Sequence, residues 1–421
     1  MEFKYLTTTP PIGGRIKQIC DDFLVEEIGK DYNTKIIYLP DKRVEVDWNQ
    51  VYENKKDLKY LLVDMEKYNM STTSAINDVS RYLRISKKKI GYAGLKDKRA
   101  ITCQKISISD PPKERIEKFY YKNVKIYNPI WSNKEITIGD LEKNKFTMTV
   151  RNIKDKTKED LEKLFLKFKE EIETYGIINY FGEQRFGGVR SITDKVGKLL
   201  LKRQYKEAVL LYLTETSPLE KEEIKNARLE LKENMDFGKS AANFPVKDGY
   251  ERQMLNHLAK YPTDFLGAIK VLPISIQYLF IHAYQAYLFN ELLNERINRG
   301  FTLNKIDDDK INNNGEVVYP LFGYESSFSS GVLGEIQRDL FEKENINISE
   351  FFNKDHSVLS SKGEFREIKV FAYDLSLINI EEDDLNLDSL KLTFSFVLDK
   401  GNYATNIARE LIKPKEMHGW Y

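Results

Sequence analysis

The stretch GYAGLKDKRAITCQK, residues 91–105, contains one acid, Asp97, set among Lys96, Lys98, Arg99 and Lys105. Cations this close favour the ionised form of a carboxylate. An aspartate kept charged suits the role of nucleophile or electrostatic stabiliser and makes a poor general acid. Gly91 and Gly94 are expected to supply positive φ or a close backbone approach around it. The segment from Arg81 to Lys105 holds nine Lys or Arg and the single acid, a local patch that seeks anions. The plainer alternative is a turn-forming aspartate with surface salt bridges beside a solvated helix face.

A second group lies in NYFGEQRFGG, residues 179–188. Asn179, Tyr180, Phe181, Gln184, Arg185 and Phe186 place amides, a guanidinium and aromatic faces between glycines. That combination can grip an unstacked base by edge and face, with a phosphate nearby. A buried aromatic turn is the competing reading.

Other chemistries find little support. The two cysteines, Cys20 and Cys103, are too few and too distant for a disulfide framework or zinc ribbon, and Cys103 sits in a strand-like run where a small buried residue is expected. His257, His282, His356 and His418 show no HxxxH or HExxH spacing, which argues against a metal or Ser-His mechanism. The GKS at 238–240 has Glu233 where a phosphate-binding loop needs glycine, and no GxGxxG follows a strand. A nucleotide-hydrolysing site, a nicotinamide site and a methyl-donor site are therefore not expected.

The elements that must position these residues can be read from periodicity. At 421 residues, 41% apolar and 31% charged, the chain has material for two domains, or for one carrying an insertion. It lacks a signal-peptide pattern and any apolar run long enough to span a bilayer, so a soluble cytosolic protein is expected. Net charge is only +1, so any affinity for nucleic acid must be local. GRIKQI, DFLVEEIG, IIYLP, LKYLLVDMEKY, QKISI and KFTMTVRNI read as strands. SAINDVSRYLRI, with Ser71 or Thr72 as N-cap, reads as an amphipathic helix leading into GYAGLKD. DLEKLFLKFKEEIETYG reads as a helix closed by Gly176. From about Val196 to Ser376 long helical patterns dominate, clearest in SIQYLFIHAYQAYLFNELLNERINR. There Tyr284, Gln285 and Tyr287 are expected in the core rather than on RNA. KLTFSFVLDKGNYATNIARELIKP reads as a half-buried strand, a turn and a short helix. The early strands and this last one can share one sheet.

Five blocks stand in a recognisable order: DFLVEE, the helix with GYAGLKDKRAITCQ, NYFGEQRFG, QAYLFN and GNYATNIARELIK. Together they resemble the tRNA pseudouridine synthase D (TruD) family over nearly the whole chain. The resemblance implies an α+β, mixed α/β chain: a pseudouridine synthase fold with a largely antiparallel sheet and an inserted α/β TRUD domain. The catalytic domain would be 1–205 plus 377–421, and the insertion 206–376. It implies an isomerase that converts uridine to pseudouridine, most often at position 13 of tRNA, with no cofactor or metal. Asp97 matches the catalytic nucleophile, and Phe23 and Lys17 the aromatic and lysine around it. Asn179 and Phe181 match residues that hold the base. Tyr403 stands where the family has an aromatic in its final turn, here with an added hydroxyl. Lys96, Lys98, Arg99 and Arg185 are candidates for RNA contact. The expected partner is tRNA or another structured RNA; no membrane and no obligate protein partner is expected, and the chain should be a monomer. A noncatalytic RNA-binding protein and a different RNA base-modifying enzyme are the alternatives.

Overall fold

The computed structural model describes residues 3–37, 44–245, 249–306 and 309–414. His418 and the Tyr38–Pro40 end of IIYLP fall outside them. The chain forms two compact units, one of Tyr5–Ile177 with Val370–Tyr421 and one of Met1–Lys4 with Ile178–Lys369.

The first unit is built on one sheet of eight strands. They are β1 (Phe23–Gly29), β2 (Tyr60–Tyr68), β3 (Ile90–Tyr92), β4 (Ile101–Ser109), β5 (Val124–Ser132), β6 (Leu141–Ile153) and, after the second unit, β11 (Tyr373–Glu382) and β12 (Leu390–Asp399). Their order is β11-β12-β6-β1-β4-β2-β5, with β3 added on β4. Only β1 and β4 run parallel, so the sheet is largely antiparallel, and the last strands join the early ones as their alternation suggested.

Register explains where a cleft can form. Paired residues project to the same face, so Val25, Thr102 and Lys67 share one row, and Glu27 shares another with Asn144. To one side of these rows Leu61, Val63, Met65, Ile106 and Ile108 bury against the helix Thr72–Leu83. On the other side Phe146, Met148, Phe394 and Phe396 bury against the helices Lys158–Tyr175 and Ala404–Ile412. Between the two apolar clusters the same face carries Glu27, Thr102, Gln104 and Lys67, all buried. A polar strip at this position needs partners from above, and the 93–100 loop supplies them.

Local signals set the helices. Ser71 caps Thr72–Leu83 by accepting from the Ser74 N–H at 3.0 Å. Thr157 and Asp160 form a capping box, and Gly176 at φ 67° ends the helix. GRIKQI is not a strand: Gly13, Gly14 and Lys17 take positive φ, leaving a single bridge from Arg15 to Arg151. Ile36 and Ile37 are not in a strand either, because their N–H groups donate to the carboxylates of Glu26 and Glu66 instead of a ladder.

The second unit is mainly helical, with a core of residues such as Val196, Leu200, Leu255, Phe280 and Ile281. The helix Ile274–Asn298 runs through it, and β8 (Val318–Leu321) pairs with β9 (Glu364–Glu367). The chain passes between units at β7 (Ile177–Ile178) and β10 (Lys369–Val370). These passages lie upstream of the 205/206 and 376/377 boundaries set from sequence. Compactness groups the helix Thr193–Leu201 with the later helices because Val196 and Leu200 pack into their core. Among the described residues no helix is long and apolar enough to cross a membrane.

Gly91 opens the segment that carries Asp97. It does not take positive φ, nor does Gly94; what Gly91 supplies is room, since a Cβ there would lie 2.2 Å from the Ile136 carbonyl oxygen. Gly91→Ala should therefore cost at least about 1–3 kcal/mol, the usual range for overpacking. A lowered urea midpoint at unchanged slope would show it, and an unshifted midpoint would refute it.

Candidate active site and RNA-binding elements

The loop from Ala93 to Ala100 is fastened at almost every residue. Gln104 Nε2 donates to the Gly94 carbonyl at 2.9 Å. Thr72 Oγ1 accepts from the Lys96 N–H at 3.0 Å and donates to Gln104 Oε1 at 3.1 Å. Lys96 turns inward: its ammonium meets Glu27 at 2.6 Å and Asn144 Oδ1 at 2.8 Å, with its side chain 4% exposed. Glu27 in turn accepts from the Tyr32 hydroxyl and the Lys105 N–H. The polar strip on the sheet is thus matched by the loop above it.

Asp97 stands at the outer end of this fastening. Lys17 Nζ donates to Asp97 Oδ1 at 2.9 Å and lies 3.8 Å from the centre of the Phe23 ring, which is 1% exposed. An ammonium held between a carboxylate and an aromatic face is fixed in direction as well as in charge. Lys17 itself sits in the left-handed region at φ 56°, a conformation costly for a lysine. The Asp97 side chain remains 32% exposed, and among the described residues Lys17 is the only hydrogen-bond partner of its carboxylate. The second oxygen is free to meet a ligand.

A further cation approaches from below. Lys67, fully buried at the end of β2, donates from Nζ to the Asp97 carbonyl oxygen at 2.6 Å. Burial, against the opposing pull of the Asp97 charge and with a smaller push from Lys96, lowers its pKa to about 8. Sequence reading passed over Lys67, because a lysine near the end of LLVDMEKY looks like any surface lysine; its burial follows from its row with Thr102 and Val25.

The basic turn therefore divides its charges. Lys98 and Arg99 are exposed, with Arg99 Nη2 reaching the Gln18 carbonyl at 3.1 Å. Lys96 is corrected from an RNA-contact candidate to a buried structural cation, since its ammonium faces Glu27 and not solvent. The thiols are no rivals for the chemistry: burial raises the pKa of Cys20, and Cys103 lies buried on β4 with its thiol pushed well up.

The second motif is built within the helical unit. Asn290, on the helix Ile274–Asn298, holds the main chain of Phe181 at both groups, accepting from its N–H at 2.9 Å and donating to its carbonyl at 3.0 Å. Phe289 meets the Phe181 ring edge-on. The guanidinium of Arg366 lies 4.3 Å, and that of Arg185 5.2 Å, from the ring centre. Asn179 is buried, its amide donating to the Glu367 carbonyl at 2.9 Å and accepting from Arg366 Nη2 at 2.5 Å. Asn179 thus aims Arg366 across Phe181; neither Arg366 nor Asn290 stood out in the sequence. Arg185 and Phe181 border a cavity of about 180 Å³ with His282, whose burial and neighbouring Arg185 favour the neutral ring. Tyr284 and Gln285 are buried, and Tyr287 bonds Glu344, so the long helix uses them internally. Tyr403 is half-buried at the N-cap of Ala404–Ile412 in the sheet unit.

Two stability tests follow. Lys96→Met strands the Glu27 carboxylate and should cost about 3–5 kcal/mol, with much of it recovered in Lys96→Met/Glu27→Gln; equal losses in single and double variants would show that the pair is not what holds the loop. For Lys67 the folded pKa of about 8 lies below the ordinary 10.5, so the unfolded chain binds the extra proton between those values. Folding then bears the cost of a buried cation below pH 8 and sheds it as pH rises. The stability of Lys67→Met relative to wild type should fall by about 2–3 kcal/mol from pH 7 to pH 10, and a pH-independent difference would contradict it.

The comparisons with known proteins converge. The family model described as tRNA pseudouridine synthase D (TruD) matches residues 2–316 and 311–411. A "Probable tRNA pseudouridine synthase D" of Methanococcoides burtonii is 35% identical over 97% of this chain and 95% of its own length. A "Probable tRNA pseudouridine synthase D 1" of Methanocaldococcus jannaschii is 33% identical over 98% of each. A crystal structure of a protein assigned as tRNA pseudouridine synthase D (TruD) from Methanosarcina mazei superposes with a TM-score of 0.78 at 34% identity, covering 97% of this chain and 96% of that one. With matches that run along nearly all of its residues, the chain belongs to the tRNA pseudouridine synthase D (TruD) family.

Proposed function

We propose that this chain, a tRNA pseudouridine synthase by family, isomerises a uridine of tRNA, at position 13, with the Asp97 carboxylate as nucleophile. The observation that carries the reading is the state of that carboxylate: one oxygen fixed by Lys17 at 2.9 Å, the side chain 32% exposed, and the loop beneath it fastened to the sheet.

The net reaction breaks the bond from uracil N1 to C1′, turns the base, forms a bond from C5 to C1′, releases the C5 proton and places a proton on N1. Product and substrate are isomers, so neither electrons nor a transferred group need enter. A charged Asp97 serves each available route: attack on C1′, attack on C6, or removal of the C2′ proton. Lys17 keeps the carboxylate aimed, and Phe23 backs Lys17 from below. Lys98 and Arg99 meet phosphates beside the nucleotide that has left its stack, a step costing a few kcal/mol. Within the helical unit Asn179, Phe181, Arg185 and Arg366 form the group that holds RNA, with guanidinium planes and an aromatic face suited to unstacked bases. Tyr403 is the remaining candidate for substrate contact. The sheet unit is the catalytic part, and the inserted TRUD domain corresponds to the helical unit, whose main segment is Ile178–Lys369.

The test uses unmodified tRNA carrying C5-tritiated uridine, incubated with wild type and with Asp97→Asn, followed by mapping of the modified position. Wild type should release tritium and leave pseudouridine at position 13, and Asp97→Asn should lose at least about a thousandfold in rate while still binding tRNA. Tight binding by both proteins with no release from any tRNA would leave a binding protein and sink the proposal.

A further inference from the structure

We infer that Lys67 is a positioning residue for the isomerisation: its buried ammonium clamps the main chain of Asp97 while Lys17 holds the carboxylate, so that the nucleophile is fixed from both ends. The inference rests on the reading of Asp97 as nucleophile.

Three observations carry it. The contact is short, 2.6 Å from Nζ to the Asp97 carbonyl oxygen, and charge-assisted. It is the one hydrogen bond that the described residues give this ammonium, and among those residues no carboxylate forms an ion pair with it. The side chain is wholly buried, so it acts through the protein groups around it, and Asp97 is the one it bonds. A buried cation without a salt bridge is expensive to keep. Lys96, the residue before Asp97, shows the contrast: its ammonium has a carboxylate and an asparagine of its own and anchors the loop without bonding to the Asp97 carbonyl or carboxylate. Lys67 instead spends its charge on the main-chain carbonyl of the residue that reacts.

The geometry also makes the clamp sensitive to pH. The charged groups around Lys67 are Asp97, which favours its ammonium, and Lys96, which opposes it; the Cys20 thiol lies close by, and Lys17 reaches the same aspartate. Burial outweighs the attraction and lowers the pKa to about 8. Above that value the ammonium becomes an amine, the bond to the Asp97 carbonyl weakens, and the positive field under the carboxylate is lost.

The experiment measures kcat and KM for tRNA, by tritium release from pH 6.5 to 9.5, for wild type, Lys67→Met, Lys67→Gln and Asp97→Asn. Misplacing a reacting group by about 1 Å costs on the order of a hundredfold, so kcat of Lys67→Met should fall by about that factor, with KM changed less than about threefold. Lys67→Gln keeps a neutral donor on a shorter chain and should fall in between. Wild type should lose rate above about pH 8, and both Lys67 variants should lack that limb, a change that general loosening of the fold would not produce. Variants matching wild type in kcat and in pH profile would overturn the positioning role, as would a wild-type profile with no loss of rate up to pH 9.5. Should Asp97→Asn keep full tritium release, the nucleophile reading is what has failed, and the two failures are thereby told apart.

Discussion

A buried ion pair, Lys96 against Glu27, is the innermost anchor of the loop that carries Asp97. Glu27 sits on β1 with its carboxylate shared among Lys96, the Tyr32 hydroxyl and the Lys105 N–H, so one side chain ties the loop to β4 and to the turn after β1. Remove the pair and Glu27 would be a buried carboxylate without its cation, beneath a loop still held by Gln104, Thr72, Lys17 and Lys67 but missing its innermost anchor. Two apolar clusters can define a face of the sheet; only this polar seam defines where on it Asp97 stands. The seam is costly because its charges are out of water, and it repays that cost in geometry.

The position of one carboxylate in a basic turn can now be explained by division of labour. Four of the cations near Asp97 have tasks that differ. Lys96 anchors the loop from inside, Lys67 holds the Asp97 carbonyl, Lys17 holds its carboxylate, and Arg99 reaches out toward solvent with a hold on the Gln18 carbonyl. Had all four gathered on the carboxylate itself, both of its oxygens would be occupied. By distributing them over main chain, neighbour and surface, the fold keeps one oxygen of Asp97 available while the residue as a whole cannot drift.

Much of this was legible in the sequence, for identifiable reasons. The helix Thr72–Leu83 and the strand Leu390–Asp399 announce themselves by caps and by alternation, which are local properties. Asp97 stood out by its basic surroundings, Lys17 and Phe23 were implied by the resemblance to the family, and the structure brings those three together. What could not be read was the inward or outward choice of each lysine. Lys96 and Lys98 are two residues apart in a turn and equivalent on paper; Glu27, a strand away, decides between them. Lys67 is hidden for the same reason, since its burial depends on β1 and β4 lying beside β2. Arg366, nearly two hundred residues from Asn179, became visible only when the β9 strand carried it to Phe181. The strand expected in GRIKQI failed because Lys17 needs a left-handed backbone to deliver its ammonium, a demand of the site that overrode the local preference.

Lys17 and Lys67 also show where this fold gives up stability. One adopts a strained backbone and the other a buried charge with no carboxylate ion pair among the described residues, and both converge on the same aspartate. Strain and unpaired burial placed at random would be removed by almost any substitution that relaxes them. Their coincidence on a single residue, in a loop otherwise fastened by well-satisfied bonds, is the pattern expected where a group must be held ready before its substrate arrives. The stable framework and the costly contacts are then two parts of one device: Lys96, Gln104 and Thr72 make the loop rigid enough that the tension at Lys17 and Lys67 is borne by Asp97 instead of being lost in the chain around it.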